Sequence, residues 1–554
     1  MHVVLARSRG EILATIFDDH GILLEPAHVI DSLAVEVARR ERSARERARW
    51  VWDDTSRWYP QLLREGVRVE RCVDLRLCHA ILRGSALTAT SALARSSQDE
   101  WSLASPEPRV VVRAATLFDD DDEDGAGPAS ADPIAEFLRQ RAAVGTAQDP
   151  ARISRLLSAE SAGALVAAEI RFAGLPWRTE AHESLLERVL GPRPRGDERP
   201  EHMVEQLERV RAELSAPDLN PDSPPELLRA LGRAGIQAES TRSWELQNID
   251  HPAIEPLLAY KKMARLLSAN GWAWLEANVV SGRFHPDYVP GGVVTGRWAS
   301  KGGGGALQLP KQVRGAVIAD AGWKLVVADA AQLEPRILAA LPADRGMAEA
   351  GASGDLYAGI VASGAVDTRD HAKVAMLGAM YGATSGESGR LLPRLAKSYP
   401  RAIAYVEAAA RAGERGEIVT TRLGRSSPRG ASADYDETAT AADVVRARNQ
   451  ARSWGRFTRN FVVQGTAAEW ALCWMAGLRG RLRALGGDIG LVHEPHLVFF
   501  LHDEVVVHAP AHLAERVGEE IRAAAADAGR LLFADLPVDF PLTVAIVDTY
   551  AEAK

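Results

Sequence analysis

Cysteine is nearly missing: Cys72, Cys78 and Cys473 are the only three in 554 residues. They form no Cys-x-x-Cys pair and no even-numbered framework, which excludes a disulfide scaffold and leaves buried packing as their expected role. Long apolar runs are missing as well. None approaches the ~20 residues of a membrane span, and the opening "MHVVLARSRGEILATIFDDHG" lacks a signal-peptide pattern. A reducing cytoplasm, with no membrane partner, is the expected setting. Lysine is scarce beside arginine, alanine and glycine. With 46% hydrophobic and 25% charged residues the chain is otherwise an ordinary globular protein. At about 100–200 residues per domain it has room for roughly two to four domains.

The net charge of −8 argues against a polyanionic partner until its distribution is considered. Residues 281–480 carry a net +7, so the remainder carries −15. A basic stretch inside an acidic chain is compatible with a polyanion-binding cleft. Residues 1–118 mix strand-like runs ("HVVLA", "EILATIF") with helix-like ones ("SLAVEVARRERSARERARWVW") and read as a small α/β domain. Six acids in a row, Asp119–Asp124, followed by Gly, Ala, Ser and Pro, make 119–133 a solvated linker. A metal cage is the other reading, but nothing apolar holds those carboxylates in place. Residues 134–280 show helical periodicity, and beyond 281 apolar strand-like runs alternate with helices and Arg-rich loops.

Three stretches carry chemistry. In "KLVVADAAQLEPRILAAL" (324–341) a β-branched run ends at Asp329 just before a helix-like pattern. A carboxylate there can hold a hard cation or simply cap the helix. In "TRDHAKVAMLGAMYG" (368–382) Arg369, Lys373, Leu377 and Tyr381 recur every four residues, which puts them along one curving helix face. Two cations one turn apart repel, and helix stability does not ask for them. A triphosphate would use both, the Arg as a planar fork and the Lys as a point charge. The alternative is a solvated amphipathic face. In "LVFFLHDEVVVHAP" (497–510) two acids, Asp503 and Glu504, stand at the tip of an apolar hairpin, where like charges want a metal or a cationic ligand. Opposite Asp329 they could serve two divalent ions; a plain surface turn is the other reading.

Taken in order, these segments resemble the DNA polymerase I family (family A). "VVADAAQLEPRI" is similar to its motif A, "RDHAKVAMLGAMYG" to motif B and "FLHDEVVV" to motif C. "GRFTRNFVVQGTAAEW" (455–470) resembles its palm segment, and "GRFHPDYVPGGVVTGRWAS" with "LQLP" resembles its "TGR" and "LQNIP" stretches.

The resemblance implies an α/β multidomain protein. A right-hand polymerase would comprise helical connection and thumb at 134–280, palm at 281–345 and 441–554, and fingers at 346–440. Asp329 and Asp503 would bind two Mg²⁺, with Mn²⁺ able to substitute, and Glu504 would be a supporting carboxylate. Arg369, Lys373, Leu377, Tyr381, Glu334, Gln332 and His502 would face the dNTP. Glu334 and Tyr381 would exclude a ribose 2′-OH. Arg297, Arg456, Asn460, Gln464, Lys261 and Lys262 would contact primer–template DNA. A monomer on the nucleoid, working in repair, gap filling or damage tolerance, is the implied setting. The chain departs from the family pattern at Leu377, where an aromatic is usual, at Ala330-Ala331, and at Pro335, which a helix tolerates only in its first turn.

Residues 1–118 resemble an RNase H-like 3′–5′ exonuclease-type domain, yet neither "HVVLARS" nor "EILATIFDD" supplies the Asp-x-Glu that such a domain carries on its first strand. The expectation is a degenerate, non-proofreading platform, with no room for a 5′-nuclease domain. Two alternatives are a catalytically silent DNA-binding scaffold and an active 3′–5′ exonuclease.

Overall fold

The computed structural model describes residues 1–43, 48–102, 132–196, 198–301, 309–383, 386–430, 440–534, 536 and 538–553. The acidic block and nearly all of the expected linker lie outside the described residues.

The amino-terminal sheet contains β1 (His2–Ser8), β2 (Glu11–Phe17), β3 (Leu23–Ile30), β4 (Arg49–Trp52) and β5 (Cys72–Asp74), in the order β3-β2-β1-β4-β5. The first three pair antiparallel, while β1, β4 and β5 run parallel. Parallel neighbours need crossovers, supplied by α1 (Leu33–Arg42) and α2 (Thr55–Arg64). One expectation fails here. "RWVW" is not the end of a helix but the interior strand β4, with Trp50, Val51 and Trp52 fully buried. Pairing on both edges favours aromatic and β-branched residues, and that tertiary fact overrides the local helical pattern. α3 (Leu75–Gly84) follows β5 directly. Cys72 and Cys78 are buried, Cys473 is partly buried, and all three are free thiols.

α4 (Pro133–Gly145) and α5 (Pro150–Ala173) begin at Asp N-caps with Pro in the first turn. α6 (Glu201–Glu213), α7 (Pro224–Arg233) and α8 (Ile254–Asn270) enclose a separate small core around Val210, Leu227, Leu231 and Leu257.

The second sheet is wholly antiparallel: β6 (Trp323–Ala330), β7 (His496–Leu501), β8 (Glu504–Pro510) and β9 (Leu542–Val547), ordered β7-β8-β6-β9. Around it lie α9 (Leu333–Ala340), α10 (Leu356–Ala362), α11 (Arg369–Tyr381), α12 (Pro400–Glu414), α13 (Ala441–Gly486) and α14 (Ala514–Phe533). α13 has 46 residues, so it spans roughly 70 Å. A Thr440/Asp443 capping box starts it, and left-handed Gly487 (φ 85°) ends it. Its later turns bury Phe461, Trp470, Trp474 and Leu478. No helix among the described residues is long and apolar enough to cross a membrane.

Arg479 of α13 ties the two halves together. Its guanidinium donates to both carboxylate oxygens of Glu169 on α5 (2.9 and 2.8 Å), to the Tyr59 hydroxyl (3.2 Å) and to the carbonyls of Val69 (2.5 Å) and Glu70 (3.0 Å). Nearby, Arg68 reaches Glu494 at 2.9 Å. Burial opposes ionisation of Glu169, but Arg479 and Arg68 outweigh it and hold the carboxyl down at about 2.

Candidate active site

Asp329 stands one residue from the end of β6, directly across the ladder from Glu504 of β8. The hairpin joining β7 to β8 has a two-residue loop, His502–Asp503, with His502 in the left-handed region at φ 58°. Only Asp503 therefore sits at the tip. Glu504 is the first residue of β8 and is 2% exposed, contrary to the expectation of two acids on the turn. Asp503 belongs to the partly exposed loop and Glu504 to the buried strand, so adjacency in sequence does not make them one cluster.

Like charges opposed across a ladder are unfavourable. Two groups distant in sequence offset this for Glu504. The Tyr550 hydroxyl donates to it, and Arg314 lies 3.6 Å away, itself stacked 4.3 Å over the Tyr550 ring. Neither residue carries a signal that sequence reading detects. The Ala330 N–H donates to the Asp503 carbonyl at 2.9 Å, fastening the loop to the end of β6 beside Asp329. Among the described residues no group of three or more His, Cys, Asp or Glu could form a metal cage. Two hard carboxylates nonetheless fit Mg²⁺, which is commonly held by one or two protein carboxylates, with substrate phosphates and water completing its shell.

α11 presents the expected row. Ala372, Ala375, Met376, Ala379 and Met380 are buried, whereas Arg369, Lys373, Leu377 and Tyr381 are all exposed. The row is therefore not a packing face. At its end Gly382 has φ 74°, and a Cβ there would meet Arg456 Cγ at 2.9 Å; both conditions require glycine.

Glu334, in the first turn of α9, links the row to the "TGR" segment. It pairs with Arg297 and accepts a hydrogen bond from the Tyr381 hydroxyl at 3.1 Å. Burial and the Glu334 charge raise the Tyr381 pKa. Gln332 caps α9 in a left-handed conformation (φ 58°, ψ 41°). Pro335 occupies the first turn of α9, the one place where its missing N–H is tolerable. A cavity of about 330 Å³ gathers Arg297, Glu334, Gln464, His502 and Asp503 over a floor that includes Trp298, Ala467, Ala471 and Met475. Burial and Arg297 lower the pKa of His502.

Other expected residues lie apart from this cavity. Arg456 covers Gly382, and Asn460 follows one turn along α13. Lys261 and Lys262 are on α8, beside the separate small core. Sequence reading missed Tyr288, whose hydroxyl donates to the Phe500 carbonyl (2.6 Å) and accepts from the Phe500 N–H (3.1 Å), closing the outer edge of β7.

In the amino-terminal domain β1 carries no acid. Asp53 pairs with Arg57 (2.5 Å), Asp54 caps α2, and Asp74 caps α3 while accepting from the Thr55 N–H at 2.7 Å. Burial, then the Asp54 charge, push the Asp74 carboxyl up to about 7. The folded state thus binds a proton that the unfolded state, titrating near 3.8, releases earlier. This stabilising contribution is complete below pH 3.8 and is lost as pH rises through about 7. Melting temperatures measured from about pH 5 to 8 should fall less steeply in Asp74→Asn than in the parent protein.

Comparison with known proteins agrees with this geometry. The whole chain superposes on the POL domain of Pol1 from M. smegmatis, solved in complex with DNA primer-template and dNTP. The TM-score is 0.66 at 17% identity, covering 100% of this chain and 96% of that one. The fold is therefore that of a polymerase domain. The family model for DNA polymerase family A matches residues 197–551, and the chain belongs to that family. It is 28% identical over 355 residues to the thermostable DNA polymerase I of Thermus thermophilus, and 26% identical over 380 residues to DNA polymerase I of Pseudomonas aeruginosa. These matches take in 58% and 61% of this chain but only 39% of either relative.

Proposed function

We propose that the protein is a template-directed DNA polymerase that adds dNTPs to a primer 3′ end and works in repair, gap filling or damage tolerance. The observation that carries this reading is the exposed Arg369–Lys373–Leu377–Tyr381 row on α11, tethered through Tyr381 and Glu334 to the cavity that Asp503 lines.

Residues 281–345 and 441–554 form the palm in this reading, 346–440 the fingers, and 134–280 the connection and thumb. Arg369 and Lys373 grip the triphosphate and neutralise charge that grows on the leaving pyrophosphate. Glu334 and Tyr381 close the space beside the sugar C2′. Leu377 offers an aliphatic surface to the base, so stacking is weaker than on an aromatic ring. Arg297, Arg456, Asn460 and Gln464 meet minor-groove acceptors, which occur in every base pair. Lys261 and Lys262 bind backbone phosphates. Asp329 and Asp503 would hold Mg²⁺, which supplies phosphate charge neutralisation and a more acidic primer hydroxyl. The strand order β3-β2-β1-β4-β5 supports an RNase H-like, exonuclease-type amino-terminal domain. Its acids serve as caps and ion-pair partners, which supports a platform without proofreading.

A primer-extension assay with Mg²⁺ tests the reading. Extension with dNTPs, none with rNTPs, and no trimming of a mismatched 3′ end are expected. Absence of extension would overturn the polymerase assignment. Trimming that disappears in Asp74→Ala would overturn the non-proofreading one.

A further inference from the structure

Two side chains assigned above to the nucleotide, Gln332 and Arg369, converge on one carboxylate, Asp355. Arg369 Nε donates to Asp355 Oδ2 at 2.8 Å, and Gln332 Nε2 donates to Oδ1 at 2.6 Å. Asp355 is also the N-cap of α10, where Oδ1 accepts the N–H groups of Tyr357 (3.0 Å) and Ala358 (3.3 Å). The Leu356 N–H returns to Gln332 Oε1 at 2.8 Å, so Gln332 and Asp355–Leu356 close a ring that Arg369 joins through Asp355. Partial burial opposes ionisation of Asp355, but Arg369 and the other donors outweigh it and hold the carboxyl at about 2. Arg369 is further steadied 5.6 Å over the Tyr357 ring. Lys373, one turn along α11, makes no ion pair among the described residues and remains exposed.

We propose that Asp355 is an anionic placeholder for the nucleotide triphosphate. It holds Arg369 and Gln332 until a phosphate group displaces it, so nucleotide binding exchanges one anion for another. The inference rests on the polymerase reading above. A guanidinium fits a carboxylate and a phosphate alike, and the exchange keeps Arg369 Nε and Gln332 Nε2 facing an anion at both stages. It also sets a threshold. A dNTP brings base, sugar and a further phosphate to Lys373, and so displaces Asp355 readily. Pyrophosphate brings only charge and must compete with the carboxylate for the same fork. Asp355 thereby favours release of the product over its retention.

Asp355→Asn isolates this charge, because asparagine remains a good N-cap and still offers an oxygen to Gln332. Steady-state extension on primer–template DNA should show the inhibition constant for pyrophosphate falling by roughly two- to five-fold, and KM for dNTP falling in the same sense. In an Arg369→Ala background the Asp355→Asn change should have no effect on pyrophosphate inhibition, the signature of coupling between the pair. A merely structural role would instead raise KM and lower the melting temperature together. Unchanged or weakened pyrophosphate inhibition in a folded Asp355→Asn protein would overturn the proposal. Asp355→Ser, which also caps, provides the same test if the first variant does not fold. Should the parent protein extend no primer, the polymerase reading fails. Calorimetric titration with inorganic tripolyphosphate then still judges Asp355, by tighter binding to the variant or its absence.

Discussion

Replacing Asp503 with alanine is expected to slow single-turnover nucleotide incorporation by about 10²- to 10³-fold, the range seen when a preorganised electrostatic contact to a transition state is lost. Stability should hardly change. Asp503 is a partly exposed loop residue, and the hydrogen bond that its main-chain carbonyl accepts from the Ala330 N–H is kept by alanine. Primer–template affinity measured by fluorescence anisotropy should also hold, since duplex contacts are assigned to Arg297, Arg456, Asn460 and Gln464. Rapid-quench kinetics beside a thermal melt separates loss of chemistry from loss of fold. Parent-level incorporation by the variant would remove Asp503 from the reaction. Glu504 makes a useful contrast. Because it is buried and held by Tyr550 and Arg314, its loss should disturb folding as well as activity.

The second large effect is structural. Arg479→Ala should destabilise the protein by about 3–5 kcal/mol, because it leaves a buried carboxylate without its main counter-charge. Arg68, at 3.5 Å, is the cation left beside Glu169. The pH dependence carries a signature. The depressed pKa of Glu169 gives stability that is present above its unfolded value and lost only as pH falls through about 2. Without Arg479 that loss should begin at higher pH. Replacing Glu169 and Arg479 together with apolar residues of similar volume should recover much of the stability. Denaturant titration of the three variants, followed by near-UV circular dichroism, distinguishes these cases. Near-parent stability of Arg479→Ala alone would show that the network does not bind the two halves.

Much of the site could be read from local pattern. The four-residue repeat on α11, the strand that carries Asp329 near its end and the apolar hairpin around 502–503 depend on short-range geometry, and each is present in the fold. What could not be read depends on pairing across the chain. β4 looks like helix until β1 and β5 flank it. Glu504 looks like a partner of Asp503 until its place at the start of the buried strand β8 sets it against Tyr550, 46 residues away, and Arg314. Asp355 looks like an ordinary helix cap, and only the approach of α11 shows that it also occupies Arg369. Periodicity reports which side of an element is apolar, but not which distant residue meets the other side.

Arg456, Asn460 and Gln464 are successive four-residue steps on α13, a helix with no proline anywhere along it. Each step rises ~6 Å, so the outer two lie ~12 Å apart. In the minor-groove role proposed for these three residues, and with a duplex advancing ~3.4 Å per base pair, this rod would act as a ruler about three to four base pairs long. Its graduations are set by backbone hydrogen bonds rather than by loops. A mispaired duplex that widens or narrows within that length would have to move against a fixed scale, because the scale itself cannot stretch to follow it.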